Sequence, residues 1–166
     1  AFERLPYRVV MVCTGNICRS VMAEEILREA VEQRGLDVVV DSAGISDEEH
    51  GHGIDSRAAR ALREGGYRVP SHRARQVEVG ELQRWDLVLA MTSSHLRALE
   101  RLAGGPDPKI RMFREFEVDE GELGRVRNLD VPDPWYGDYS DFEATRETIE
   151  NCTPAIIEYI MRSTTR

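Results

Sequence analysis

The sequence predicts an α/β fold: a parallel sheet with helices on both faces. Three observations carry that expectation. Val9 to Val12 is a short, continuous apolar run, the pattern of a strand buried on both sides. Apolar segments of similar kind recur at 37–43, 85–91 and 109–113, and helical periods lie between them. Strand and helix signals therefore alternate along the chain, which favours crossover connections and parallel pairing.

The elements follow in order. From Ser20, the residues Met22, Ile26, Leu27 and Ala30 recur at helical spacing, and Gly35 is a plausible stop. "DVVVDSA" reads as the second strand, and Asp55 as the N-cap of the helix "SRAARALREGG". "WDLVLAM" is the third strand. Thr92 or Ser93 caps the helix "HLRALERLA", which Gly104, Gly105 and Pro106 end. "KIRMF" is a fourth, shorter strand. A loop rich in Asp, Pro and Gly, "NLDVPDPWYGDYSD", leads into a final helix from about Phe142 to Ile160, which Pro154 should kink or interrupt. No repeat or linker divides the 166 residues, so a single domain over 1–166 is expected.

Composition excludes several classes. The net charge of −8 is spread out with no basic block, which argues against nucleic acid as a partner. No apolar run approaches the roughly 18 residues that span a bilayer, and the start lacks a signal-peptide layout. Three cysteines, Cys13, Cys18 and Cys152, form no disulfide framework, which points to a reducing, cytoplasmic setting. A monomer is expected. "EEHGHG" reads as solvated surface rather than a metal site, His95 as a surface residue and Cys152 as core. Glu117, Asp119, Glu120 and Glu122 read as a solvated loop.

The chemistry begins where the first strand runs into "CTGNICRS". A seven-residue loop between a strand end and a helix start can curl its backbone N–H groups inward, and the helix dipole adds partial positive charge. That concavity suits a tetrahedral dianion, bound by the loop from Thr14 through Gly15, Asn16, Ile17 and Cys18 to Arg19. Gly15 and Asn16 tolerate the positive φ angles such a ring needs. Arg19 offers a planar fork for two phosphate oxygens. Cys13 would sit at the floor of the ring, where the helix N-terminus and a guanidinium favour a thiolate. Ser20 could steady that anion with its hydroxyl.

Displacing a phosphate ester also needs an acid for the departing oxygen. Asp133, stiffened between two prolines, is the candidate, and partly apolar neighbours would help it hold a proton. Trp135 and Tyr136 could wall a slot deep enough for an aryl phosphate. Cys18 either packs behind the loop or forms a disulfide with Cys13 under oxidant, sparing the nucleophile.

Through "VCTGNICRS", "DSAG", "DSRA", "SHRARQ" and "DPWYG" the chain resembles the low-molecular-weight protein tyrosine phosphatases over almost its whole length. The resemblance implies a three-layer fold on a four-stranded parallel sheet, with a phosphate-binding loop between the first strand and first helix. It implies a phosphocysteine on Cys13, a phosphoryl clamp at Arg19 and an acid, then base, at Asp133. Asn16, Ser20, Ser42 and His72 fall where the family holds the loop in shape, and no metal or cofactor is implied. Two departures stand out: Val21 replaces a frequent proline, and Glu48 occupies a pocket-wall position that many members fill with an aromatic residue.

Related chemistries remain open on the sequence. Thioredoxin-coupled arsenate reductases share this loop but need further cysteines, and only Cys152 is left. Arginine phosphatases of the same superfamily carry threonine where this chain has Ile17, and they lack the aromatic pair after Asp-Pro. A non-enzymatic phosphate-binding module would need neither Cys13 nor Asp133.

Overall fold

A computed structural model describes residues 5–117 and 128–164. Asp119, Glu120 and Glu122, expected in a solvated loop, lie outside the described residues, whereas Glu117, expected in the same loop, instead ends a 3₁₀ segment, Phe113–Glu117, where it is exposed and pairs with Arg114 at 2.8 Å.

Four parallel strands form the sheet: β1 (Tyr7–Cys13), β2 (Val38–Gly44), β3 (Leu87–Ala90) and β4 (Ile110–Met112), in the order β2-β1-β3-β4. The helices are α1 (Arg19–Gln33), α2 (Ser56–Glu64), α3 (Ser93–Ala103) and α4 (Tyr139–Thr164). Alternation along β1 divides the core. Val9 and Met11 pack with Met22, Ile26, Leu62, Phe142, Ile149 and Ile156 of α1, α2 and α4. Val10 and Val12 face the other way, toward Leu99 of α3, Leu82 and Trp85. Fully burying each such side chain stabilises the fold by about 1.5–3 kcal/mol, so both layers are held firmly to the sheet.

Caps set the helix starts. Asp55 accepts hydrogen bonds from the backbone N–H groups of Arg57 and Ala58 to open α2. Thr92, rather than Ser93, opens α3 by accepting from the N–H of His95.

Three expectations need correction. Pro154 does not interrupt α4, which runs unbroken from Tyr139 to Thr164. Pro154 itself is exposed, while Cys152, Thr153, Ile156 and Ile157 around it are buried, so tertiary packing holds the helix across the missing donor. The third strand is shorter than its apolar run. A 3₁₀ segment, Val79–Arg84, closed by a reciprocal Glu78–Glu81 capping box, ends on Trp85, whose indole N–H donates to Glu81 at 2.9 Å. His95 is also not on the surface, being only 5% exposed.

The register positions the site. In the β1–β2 pairing Met11 lies opposite Ser42 and Cys13 opposite Gly44. The carboxyl end of β1 thus delivers Cys13 beside Gly44 of β2, and Ser42 of the same strand reaches the following loop through Asn16.

Candidate active site

The turn from Cys13 to Arg19 is shaped by what crosses it. The backbone N–H groups of Ile45 and Ser46 donate to the carbonyls of Cys13 and Thr14, at 2.9 and 3.0 Å, so β2 is pressed against the loop. A Cβ on Gly44 would lie 2.6 Å from the Thr14 carbonyl oxygen; only glycine permits this approach. Asn16 carries the positive φ, at 61°, but Gly15 does not. Gly15 matters instead for space, because a Cβ there would meet the side chain of Glu49 at 3.0 Å.

Asn16 is the hub. Its side chain is fully buried, and its amide donates to the hydroxyls of Ser20 and Ser42, each at 2.9 Å. Its amide oxygen accepts from the backbone N–H of Arg75 at 3.0 Å, and its own carbonyl accepts from Nε2 of His72 at 2.5 Å. These bonds hold an otherwise unfavourable left-handed residue in place. Beyond Ser42 the network reaches Glu24, which accepts from the serine hydroxyl at 2.5 Å and pairs with Arg28.

Cys13 is buried, with its sulfur 2.9 Å from the hydroxyl of Ser20 at the start of α1. Arg19, only 5% exposed, donates to the carbonyl of Val131 at 3.0 Å and lies 3.7 Å from the carboxylate of Asp133. Cys13, Arg19 and Asp133 line one pocket, together with Thr14, Gly15, Ile17 and Cys18 of the loop. Its mouth is formed by Glu48, Glu49, Trp135 and Tyr136.

Asp133 is not sheltered by apolar neighbours as its sequence context suggests. Its side chain is half exposed, takes the backbone N–H of Trp135 at 3.0 Å, and leans on a guanidinium. The loop that carries Asp133 is tied down from α2, where Arg57 pairs with Asp55 at 3.2 Å, donates to the carbonyl of Trp135 at 3.1 Å, and stacks over the rings of Trp135 and Phe142.

Cys18 is buried, and burial pushes its thiol well above the ordinary range; Cys152 sits in the core beside Ile149 and Ile156, its thiol pushed by burial up to about 12. All three cysteines are free. His95 contacts the loop directly: its Nε2 lies 2.8 Å from the hydroxyl of Thr14. Burial first, and the charge of Arg19 second, push its imidazole down to about 4.

A model of the family described as low molecular weight phosphotyrosine protein phosphatase matches residues 8–165. This chain belongs to that family. A low molecular weight protein-tyrosine-phosphatase from Streptomyces coelicolor is 42% identical over 157 residues, covering 92% of this chain and 93% of the relative. Among solved structures, a protein tyrosine phosphatase from Entamoeba histolytica superposes with a TM-score of 0.84 at 25% identity, covering 95% of this chain and 98% of that one. A Drosophila arginine phosphatase superposes with a TM-score of 0.79 at 26% identity, over 92% and 96% of the two chains.

Several residues of this phosphatase's site escaped the sequence reading. Glu24 follows Ser20 by one helical turn, so a carboxylate on the face of α1 that carries Ser20 was the available signal. Glu49 was hidden among acidic neighbours that read as solvent-facing. For His95 no local pattern separates a buried first-turn histidine from an exposed one.

Proposed function

We propose that this protein hydrolyses phosphotyrosine in proteins, or other aryl phosphate monoesters, through a phosphocysteine on Cys13. The observation that carries the reading is one pocket holding a sulfur that meets the Ser20 hydroxyl, a buried guanidinium and a carboxyl group. The Cys13 thiolate attacks phosphorus, the phosphorus–aryl oxygen bond breaks, and Asp133 gives its proton to the departing oxygen. Asp133, now a carboxylate, takes a proton from water; the resulting hydroxide attacks phosphorus and the sulfur–phosphorus bond breaks. Inorganic phosphate leaves, and both side chains return to their starting forms. Arg19 and the loop N–H groups bind the equatorial oxygens throughout. The network of Asn16, Ser20, Ser42 and His72 keeps the loop in the shape this requires. The reading includes a cytoplasmic monomer, folded as a single domain, with free thiols suited to a reducing compartment.

The aromatic pair Trp135 and Tyr136, which lines the pocket together with Ile17, supports an aryl leaving group. Glu48 and Glu49 at the mouth give a second reading, a phosphorylated guanidinium, some support. Cys13→Ser tests the chemistry: turnover of an aryl phosphate should vanish while inorganic phosphate still binds. Comparing phosphotyrosine with phosphoarginine peptides on the unaltered protein decides the substrate. Preference for phosphoarginine would overturn the aryl assignment.

A further inference from the structure

Thr14 follows the nucleophile directly and lines the pocket, and its hydroxyl lies 2.8 Å from Nε2 of His95. His95 projects from the first turn of α3 and is 5% exposed. Its other ring nitrogen, Nδ1, is buried and has no hydrogen-bond partner among the described residues. With burial and Arg19 both opposing protonation, the ring is neutral near pH 7 and carries a single hydrogen.

That hydrogen has two possible homes. On Nδ1 it would make a buried N–H with nothing to bond, an arrangement proteins rarely keep. On Nε2 it bonds to the Thr14 oxygen and leaves only a lone pair unmatched, at lower cost. The ring therefore donates and the threonine oxygen accepts. Thr14 then cannot spend its own hydroxyl hydrogen on His95, so that hydrogen is left for an acceptor elsewhere, and the residue borders the space where a phosphoryl group would sit.

We propose that the Thr14 hydroxyl is an additional donor to the phosphoryl group, aimed into the pocket by His95 acting as its positioning residue. The proposal rests on the phosphatase reading above and extends it. Thr14→Val removes the hydroxyl at almost constant shape. One hydrogen bond to an anion corresponds to roughly tenfold or more, so kcat/KM on an aryl phosphate should fall, and the inhibition constant of inorganic phosphate should rise, by about that factor. Thr14→Ser should recover most of the loss. His95→Phe should give a smaller loss of the same kind, His95→Gln should restore it, and the Thr14→Val/His95→Phe pair should be no worse than Thr14→Val alone.

A purely structural histidine would lower the melting midpoint and the active fraction while leaving phosphate affinity untouched. Additive losses in the double variant would likewise remove His95 from this role. Wild-type phosphate affinity and kcat/KM in Thr14→Val, in a protein that Cys13→Ser silences, would overturn the donor and leave the phosphatase reading standing. Activity surviving Cys13→Ser would overturn both. Should His95→Phe fail to fold, the comparison of Thr14→Val with Thr14→Ser still decides whether the hydroxyl contributes.

Discussion

Ser42 gives its hydroxyl hydrogen to Glu24 at 2.5 Å, and this fixes the sense of every hydrogen bond from there to the sulfur of Cys13. A carboxylate can only accept, so the serine hydrogen is committed. Its oxygen then accepts one hydrogen of the Asn16 amide, and the second goes to Ser20. Ser20 is left with its own hydrogen for the sulfur of Cys13, 2.9 Å away. The relay begins at an acceptor and ends with a donor aimed at the sulfur of Cys13. Arg28 secures its far end by pairing with Glu24 and donating to the Val40 carbonyl at 3.0 Å.

Ser42→Ala should therefore weaken catalysis without touching the pocket. It leaves one buried Asn16 N–H unpaired, at a cost of about 1–3 kcal/mol. Stability should fall by that order and kcat by several fold, with phosphate affinity reduced in parallel as the loop loosens. Glu24→Gln keeps an acceptor for Ser42 and should lose less kcat than Ser42→Ala. Urea unfolding and steady-state kinetics measure both, and unchanged kcat in Ser42→Ala would remove the relay from catalysis.

Which parts of this were legible in the sequence follows from how local each determinant is. The strand–loop–helix switch at Cys13 is written in consecutive residues, and so are the caps at Asp55 and Thr92. Ser42 and His72 could be placed only through family resemblance, because nothing local pairs Met11 with Ser42 across strands. Glu24, Arg57 and His95 act through contacts 18 to 81 residues away, and composition does not record such contacts. Pro154 misled for the opposite reason: the local rule was sound, but buried neighbours on both sides outweighed it.

Asp133→Ala should separate substrates by leaving group. General acid catalysis contributes roughly 10²–10⁴-fold when the departing oxygen is basic, and little when it is already a stable anion. Phenyl phosphate turnover should fall by about that factor, and that of a dinitrophenyl ester far less. Equal losses on both esters would make Asp133 a structural residue.

Glu48 and Glu49 place negative charge at the mouth, and Glu49 is partly tied up with His52 at 2.6 Å, so Glu48 is the freer of the two. Glu48→Lys should raise kcat/KM for acidic phosphopeptides and lower it for basic ones. Exposed charge pairs contribute about 0.2–1 kcal/mol and reversing a charge counts twice, so each shift should be below about thirtyfold. Both should shrink in 1 M salt, where the Debye length falls to about 3 Å. A shift that ignores salt would point to shape rather than charge.

Cys18 bears on oxidation. Peroxide would convert the Cys13 thiolate to a sulfenic acid, itself reduced to water; the Cys18 sulfur would then displace water from that sulfenic acid to give a disulfide. Because burial keeps Cys18 protonated, this trapping should be slow near pH 7 and quicken as pH rises. A dithiol should restore the peroxide-treated wild type and restore Cys18→Ser poorly. Equal recovery of both would leave Cys18 as packing alone.

Glu25 sets a pH dependence of stability. It is almost fully buried on α1, and burial, reinforced by a hydrogen bond with Glu29 and opposed by Arg28, pushes its carboxyl up to about 7. Arg28 lies 3.0 Å from one oxygen; the other has no hydrogen-bond partner among the described residues, and Arg68 approaches it at 3.6 Å. A carboxyl raised in the folded state binds a proton that the unfolded chain has already released. Its contribution is thus greatest below the ordinary carboxyl range and is lost as pH climbs through about 7, up to about 3 kcal/mol. Glu25→Gln mimics the protonated form at every pH. Relative to wild type it should be stabilised by up to about 3 kcal/mol at pH 8 and by much less at pH 5. His95, which charges only in acid, affects both proteins alike and cancels from the difference. Urea unfolding at the two pH values reads the effect, and a difference that does not change with pH would place the proton elsewhere.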